Sequence, residues 1–360
     1  MTDQLTEYPR SRVEENGTVY SLARRAGERV LVVEGDTSGF EGEHVGDGLF
    51  APLTAANAQA LRGRLEWLRP QLLGLRLSVG TGDRLGLATP GHLRAVRTHA
   101  LSRGNAGLAP ILAQQSMREN ARTGRTPQQV MDDAMWGVFQ EGWRAPWAAD
   151  ADHLKSTGDV DLCVAAGYTF YTIDPGDHVD NEAHTASVDV IRRKVEELPW
   201  DALEDSADAL RRRYLDRTFL VEHLALEFDE TSLLRAAAKY GRAIAHTARL
   251  YRHLLHALPQ DEFELEVSVD ETATPTSSLE HFFIASELRR LGVQWVSLAP
   301  RYVGRFEKGV DYIPSSGIEG DLDEFDQSLA CHGAIARALG PYKLSIHSGS
   351  DKFLSLIHIS

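Results

Sequence analysis

From about Leu73 onward the chain alternates short apolar runs with longer amphipathic stretches. The segments LRLSVG, GLAPILAQQS, PWAADADHLKS, YTFYTIDPGD, FELEVSVDET, VQWVSLAPR and YKLSIHSGSDK each carry a strand of the buried, parallel type. Helical patterns fall between them. One lies around His92 to Ser102, and another is TPQQVMDDAMWGVFQEGW, where Thr126 caps and Pro127 takes the first helical position. DVDLCVAAGY, SLEHFFIASELRRLG and DLDEFDQSLACHGAIARALG follow, and a long helical excursion is expected from about Asn181 to Leu258. Residues 1–72 read differently, with VYSLARR and RVLVVEG as short strands, a turn-rich GFEGEHVGDGLF, and an amphipathic helix in LTAANAQALRGRLEWLRPQLL.

This order predicts an α/β fold of the TIM type, a (β/α)₈ barrel that is incomplete: about seven strands, with the last βα unit missing. Residues 1–72 form an N-terminal cap or subdomain, 73–353 the barrel with the insertion at about 181–258, and 354–360 a non-native tail. That tail, LSLIHIS, follows DKF without a turn signal. A doubly wound sheet is the alternative, but there the polar strand ends gather at one switch point, whereas here they recur almost everywhere.

At 360 residues the chain can bury a large core. A net charge of −14 argues against a nucleic-acid partner, because a phosphate backbone must be met by clustered Lys and Arg. The polar start lacks a secretory h-region, and no run approaches about 18 uninterrupted apolar residues. The expectation is a cytoplasmic protein without a membrane partner, whose Cys163 and Cys331 are buried, reduced thiols. Its oligomeric state is left open.

The chemistry concentrates at strand ends. Asp150, Asp152 and His153 follow one strand. Asp152 and His153 are adjacent, so a regular strand points them to opposite sides and a turn is needed to bring both into a site. Histidine with carboxylates suits zinc, manganese or nickel, yet three residues in a row cannot close a metal site. His347 of YKLSIHSGSDK is the natural distant partner, with Asp152, Asp270 or His281 completing the set. Asp270 and Glu271 are paired carboxylates that can divide into a base and a cation-holding group, or can cap the next helix. Arg301 of SLAPR suits bidentate binding of a carboxylate, and Lys352 adds a second cation beside the Ser348 hydroxyl. Gln114 and Gln115 can orient sugar hydroxyls. GTGDRLG can cradle an anion but matches no phosphate-loop pattern, and His332 reads as structural.

The combination VSVDETATPTSSLEHFF, SLAPR and SIHSGSDK, together with ADADHLK and YTFYTIDP, closely resembles the tagaturonate/fructuronate epimerase family over roughly residues 75–353, with a looser match before. The resemblance implies a bacterial, metal-dependent TIM-barrel isomerase of hexuronate catabolism. Its substrate would be a small hexuronate and its reaction the interconversion of D-tagaturonate and D-fructuronate at carbon 4. The hydrogen on that carbon is β to the ketone, so its removal gains no enolate stabilisation. Retro-aldol cleavage and re-addition is the physical route, and its two acid/base roles suit Asp152 and Glu271. The metal ligands are then His153, His347 and His281, with Arg301, Lys352, Gln114, Asp270 and Ser348 on substrate. Family members continue past Phe353 through a last strand and helix, so a C-terminal truncation is expected here. An inactive, truncated sugar-acid-binding barrel and a related metal-dependent aldolase or ketose isomerase stay open as alternatives.

Overall fold

A computed structural model describes residues 5–102, 107–306, 311–317 and 321–347. All seven predicted runs are strands: β1 (Ser78–Gly80), β2 (Ala109–Leu112), β3 (Ala148–Leu154), β4 (Phe170–Ile173), β5 (Glu264–Val269), β6 (Ser297–Pro300) and β7 (Lys343–Leu344). They form one sheet in the order β7-β6-β5-β4-β3-β2-β1. β1 pairs parallel with β2, β2 with β3, β5 with β6 and β6 with β7. Helices separate most successive strands, as an α/β chain requires of parallel neighbours. Packing divides the chain into two compact units: Met1–Leu154 with Gly158–Tyr171 and Gln260–Phe263, and Lys155–Thr157 with Thr172–Pro259 and Glu264–Ser360.

The first unit begins with an antiparallel sheet. The two apolar runs at its centre, Thr18–Arg25 and Glu28–Glu34, pair with each other, and Gly48–Pro52 pairs with the second. Tyr20, Leu22, Leu31 and Val33 are buried in it, each contributing about 1.5–3 kcal/mol. The boundary expected near residue 72 separates this sheet from β1 within the same unit. The helix Pro127–Glu141 starts where its sequence predicts: the Thr126 hydroxyl accepts from the Gln129 N–H, and the Gln129 side chain accepts from the Thr126 N–H. It buries Met135, Trp136 and Phe139.

GTGDRLG carries its own acceptor. The Asp83 carboxylate accepts the N–H groups of Leu85, Leu87, Ala88 and Thr89, which holds the turn into the helix Thr89–Ser102. Around this turn Leu75, Leu77, Leu85 and Leu87 stand 50%, 71%, 77% and 67% exposed, near β1 at one end of the sheet order.

In the second unit the excursion after β4 is helical with one interruption. Thr218–Val221 and Leu224–Glu227 form an antiparallel hairpin between the helices Ala207–Tyr214 and Glu230–Ala257. The run TFLV is β-branched and aromatic, and Glu222 takes a left-handed φ of 52° in the tight turn. Phe219 from this hairpin packs against Tyr214 and Phe282 at ring-centroid distances of 5.8 and 4.8 Å.

β5 alternates strictly. Leu265, Val267 and Val269 form one face, and the last two pack with Tyr240, Ile284 and Leu288 of the flanking helices. The opposite face carries Glu264, Glu266 and Ser268, all buried, and continues to Asp270. Among the described residues no helix is long and apolar enough to cross a membrane. Cys163 is buried, Cys331 half-buried, and both are free thiols.

Candidate active site

In the first unit the groups gather at the ends of β2 and β3. Asp150 is 1% exposed, and its carboxylate accepts from the Gln114 amide at 3.2 Å. A Cβ at Gly80 would stand 2.3 Å from the Gln114 amide oxygen, so a larger residue there would push this side chain out of its present position. Asp152 and His153 are neighbours in sequence, yet the imidazole Nε2 lies 3.6 Å from Asp152 Oδ1. A regular strand cannot do this. His153 adopts φ 52°, the left-handed region that a side chain other than glycine enters only under constraint, at about 1–3 kcal/mol. This is the turn the sequence called for to place both groups on one side. Gln115 is buried, and neither its amide oxygen nor its nitrogen finds a hydrogen-bond partner among the described residues.

In the second unit the polar face of β5 meets His347. Its Nε2 lies 2.7 Å from Glu266 Oε1, and its Nδ1 lies 3.4 Å from Ser268 Oγ and 3.6 Å from Asp270 Oδ2. The Ser268 hydroxyl donates to Asp270 Oδ1 at 2.5 Å. Burial by itself would raise the Glu266 pKa. The charge of His347 and hydrogen bonds from His347, Ser297 and Ser345 outweigh it and hold the carboxyl below its usual range. Glu266 escaped the sequence reading, which looked only at the last residues of each strand. The alternation in ELEVSVD was the available signal.

Lys155, also in this unit, donates to Asp177 at 3.1 Å and lies 3.6 Å from Asp174, a buried carboxylate just past β4. Burial would depress its ammonium pKa; the Asp177 hydrogen bond and the charges of Asp174, Asp177 and Glu271 raise it instead. Glu271 itself is exposed. The Asp-Glu-Thr segment does not cap the next helix, because Ser277 does so in a reciprocal box with Glu280. Arg301 is half-buried, and its guanidinium donates to the Thr272 carbonyl, which ties the end of β6 to the loop after β5.

His281 lies elsewhere. It is fully buried, with Nδ1 2.8 Å from His332 Nδ1 and Nε2 2.7 Å from the Tyr342 hydroxyl. Burial and the neighbouring His332 push its pKa well below the ordinary value. Both ring nitrogens are engaged in the core, so His281 offers no open ligand position in this arrangement. Ser348 and Lys352 fall outside the described residues. Among the described residues no group of three or more His, Cys, Asp or Glu is gathered as a metal cage.

A parallel α/β sheet whose strands end in carboxylates, histidines and an arginine defines an enzyme that handles a small polar molecule. The sequence profile of tagaturonate epimerase matches residues 8–359. The tagaturonate/fructuronate epimerase of Thermotoga maritima is 41% identical over 353 residues, spanning 96% of this chain and 69% of the relative. The native crystal structure of the fructuronate-tagaturonate epimerase of Cohnella laeviribosi superposes with a TM-score of 0.87 at 40% identity, covering 98% of this chain and 69% of that one. Its complex with one glycerol gives the same values. The chain belongs to the tagaturonate epimerase family, and the activity is that of an isomerase.

Proposed function

We propose that this protein interconverts D-tagaturonate and D-fructuronate by inverting carbon 4 with the help of a divalent cation, for which His153 of the first unit and His347 of the second are each candidate ligands. The observation that carries the reading is identity of 41% across 96% of the chain to a tagaturonate/fructuronate epimerase. We take the seven-stranded sheet as the larger part of a (β/α)₈ barrel, in which strand ends carry the chemistry. The donor sets suit zinc, manganese or nickel: an imidazole flanked by carboxylates at His347, and an imidazole beside a carboxylate at His153. When bound, the cation supplies Lewis-acid stabilisation of the charge that collects on the ketone side of the substrate.

The chain's own groups divide the rest. One carboxylate, Asp152 or Glu271, takes the proton from the 4-hydroxyl as the bond between carbons 3 and 4 breaks. The bonding pair stays with the ketone fragment, and carbon 4 becomes an aldehyde. The aldehyde turns its other face, the bond re-forms, and the second carboxylate returns a proton to the new alkoxide. Arg301 holds the substrate carboxylate, a task for which the chain's net charge of −14 makes a local cation necessary. Gln114 and the unpartnered Gln115 amide take sugar hydroxyls. The test is turnover of tagaturonate, with and without EDTA and with zinc, manganese or nickel restored, with products identified by NMR. Fructuronate formation that EDTA stops is expected. Binding without turnover, or release of three-carbon fragments, would overturn the epimerase reading, and EDTA-resistant turnover would overturn the metal.

A further inference from the structure

Lys239 stands within the helix Glu230–Ala257 and is 1% exposed, a setting that an ammonium group rarely occupies without a partner. Burial of a charge is tolerated only where a counter-charge and hydrogen bonds replace its lost water. Lys239 Nζ donates to Glu280 Oε1 at 2.9 Å and to the Thr274 hydroxyl at 3.1 Å. Glu280 uses its other oxygen to accept the Ser277 N–H at 2.8 Å, one half of the cap that starts the helix Ser278–Arg290. The ammonium thus grips the loop 271–277 in its middle, through Thr274, and at its end, through the cap. The Lys239 backbone adds a third hold. Its carbonyl accepts the Asp180 N–H at 3.0 Å, and the adjacent Asn181 side chain accepts the Ala273 N–H at 2.8 Å.

The same loop holds Arg301. The Thr272 carbonyl accepts from its guanidinium, the Thr276 N–H donates to its carbonyl at 2.8 Å, and the Thr276 hydroxyl accepts its N–H at 3.0 Å. Thr274 lies between these two threonines, and its carbonyl accepts the Thr272 hydroxyl at 2.9 Å. We infer that Lys239 is a positioning residue for Arg301: through Thr274 and Glu280 it fixes the loop 271–277 and, with the loop, the direction of the guanidinium. A buried ion pair adds little stability over well-packed apolar groups of the same volume, so what the charge supplies here is a fixed place for its neighbours. A guanidinium takes both oxygens of a carboxylate only in a narrow range of orientations, so a slack loop costs affinity. The inference rests on the proposed epimerase, in which Arg301 holds the substrate carboxylate, but its first readout does not.

The experiment compares the native protein with Thr274→Val, which keeps the volume and the Lys239–Glu280 pair but removes the loop hydroxyl, and with Thr274→Ser, which restores it. A second variant, Lys239→Met with Glu280→Gln, removes both charges together and keeps an oxygen for the cap. Hydrogen–deuterium exchange should be faster at the Ala273 and Thr276 amides in Thr274→Val and in the double variant, and native-like in Thr274→Ser. With tagaturonate as substrate, Thr274→Val should raise KM by about tenfold, the scale of one hydrogen bond to a charged group, with kcat little changed. In an Arg301→Lys background the same substitution should add little, because its effect passes through the arginine. Unchanged exchange in both variants overturns the inference. So does faster exchange with an unaltered KM, or a loss that multiplies with that of Arg301→Lys. If exchange follows Thr274 and Lys239 while the native protein turns over no tagaturonate, the hold on the loop stands and the epimerase reading falls.

Discussion

β3 and β5 solve the same problem in opposite ways. Each must present several polar groups to one side while remaining a buried strand. β5 keeps regular geometry: Glu266, Ser268 and Asp270 share a face by the two-residue period, and the valines between them pack on the helices. β3 breaks it. Asp150 and Asp152 follow the period, whereas His153 reaches Asp152 only because its backbone turns left-handed. A regular strand builds a polar face at no conformational cost but can recruit only every second residue. A strained strand end can recruit neighbours, at a cost in stability.

The largest effect that tests this contrast is on turnover. His347→Ala and His153→Ala should each lower kcat/KM by about 10³-fold or more, as removal of a ligand or acid/base group does. NMR of the tagaturonate–fructuronate equilibrium measures it. Loss in the His347 variant alone would separate the β3 cluster from the chemistry.

Arg301→Lys comes next. It should weaken turnover of the uronates by about 10–100-fold, the scale of a charged hydrogen bond, with little change in melting temperature. It should also narrow the preference for the acid over the uncharged ketohexose. Equal losses on both sugars that track a falling melting temperature would assign Arg301 to its Thr272 contact alone.

A third outcome concerns the histidines of the second unit. Burial lowers His332 and His246 from 6.5 to about 4 each. Between those values the unfolded chain binds protons that the folded one refuses, so stability is complete above pH 6.5 and falls as pH drops toward 4. Urea midpoints across this range should show the decline, and His332→Gln should flatten it.

The smallest effects are the sharpest for the comparison. His153→Gly should stabilise the fold by about 1 kcal/mol while abolishing activity, because glycine enters the left-handed region freely. Ser268→Gly, on the regular strand, should destabilise it by about 0.5–1 kcal/mol or more. The same sign at both sites in chemical denaturation would remove the distinction between the two strands.

This contrast also accounts for what could be read in advance. The seven strands were legible because apolar runs with polar ends are local in sequence, and so was the Thr126 helix start, where capping chemistry spans four residues; the Ser277 cap of the later helix was not singled out. The hairpin at Thr218–Glu227 was not, because its ten residues sat among strong helix formers. The Asp152–His153 neighbourhood was visible, but the dihedral that unites the two side chains is set by tertiary contacts that no local pattern encodes. Glu266 was hidden for a simpler reason: it stands inside the strand instead of at its end, and its partner His347 lies 81 positions away. His281 looked like a ligand beside Glu280, and only packing reveals Tyr342 and His332 on its two nitrogens.

The leucines around Asp83 have a consequence for how the protein behaves in bulk. With a charge of −14, molecules in dilute buffer repel one another across many ångströms, and that repulsion opposes contact between the exposed Leu77, Leu85 and Leu87 of different copies. Added salt shortens the range of the repulsion to about 8 Å near 0.15 M and about 3 Å near 1 M, while apolar contact is untouched or strengthened. Colloidal stability should therefore be set by ionic strength rather than by temperature or pH near neutrality. Light scattering should find the second virial coefficient turning from positive to negative as salt rises, and Leu77→Lys with Leu85→Lys should move that crossing to higher salt.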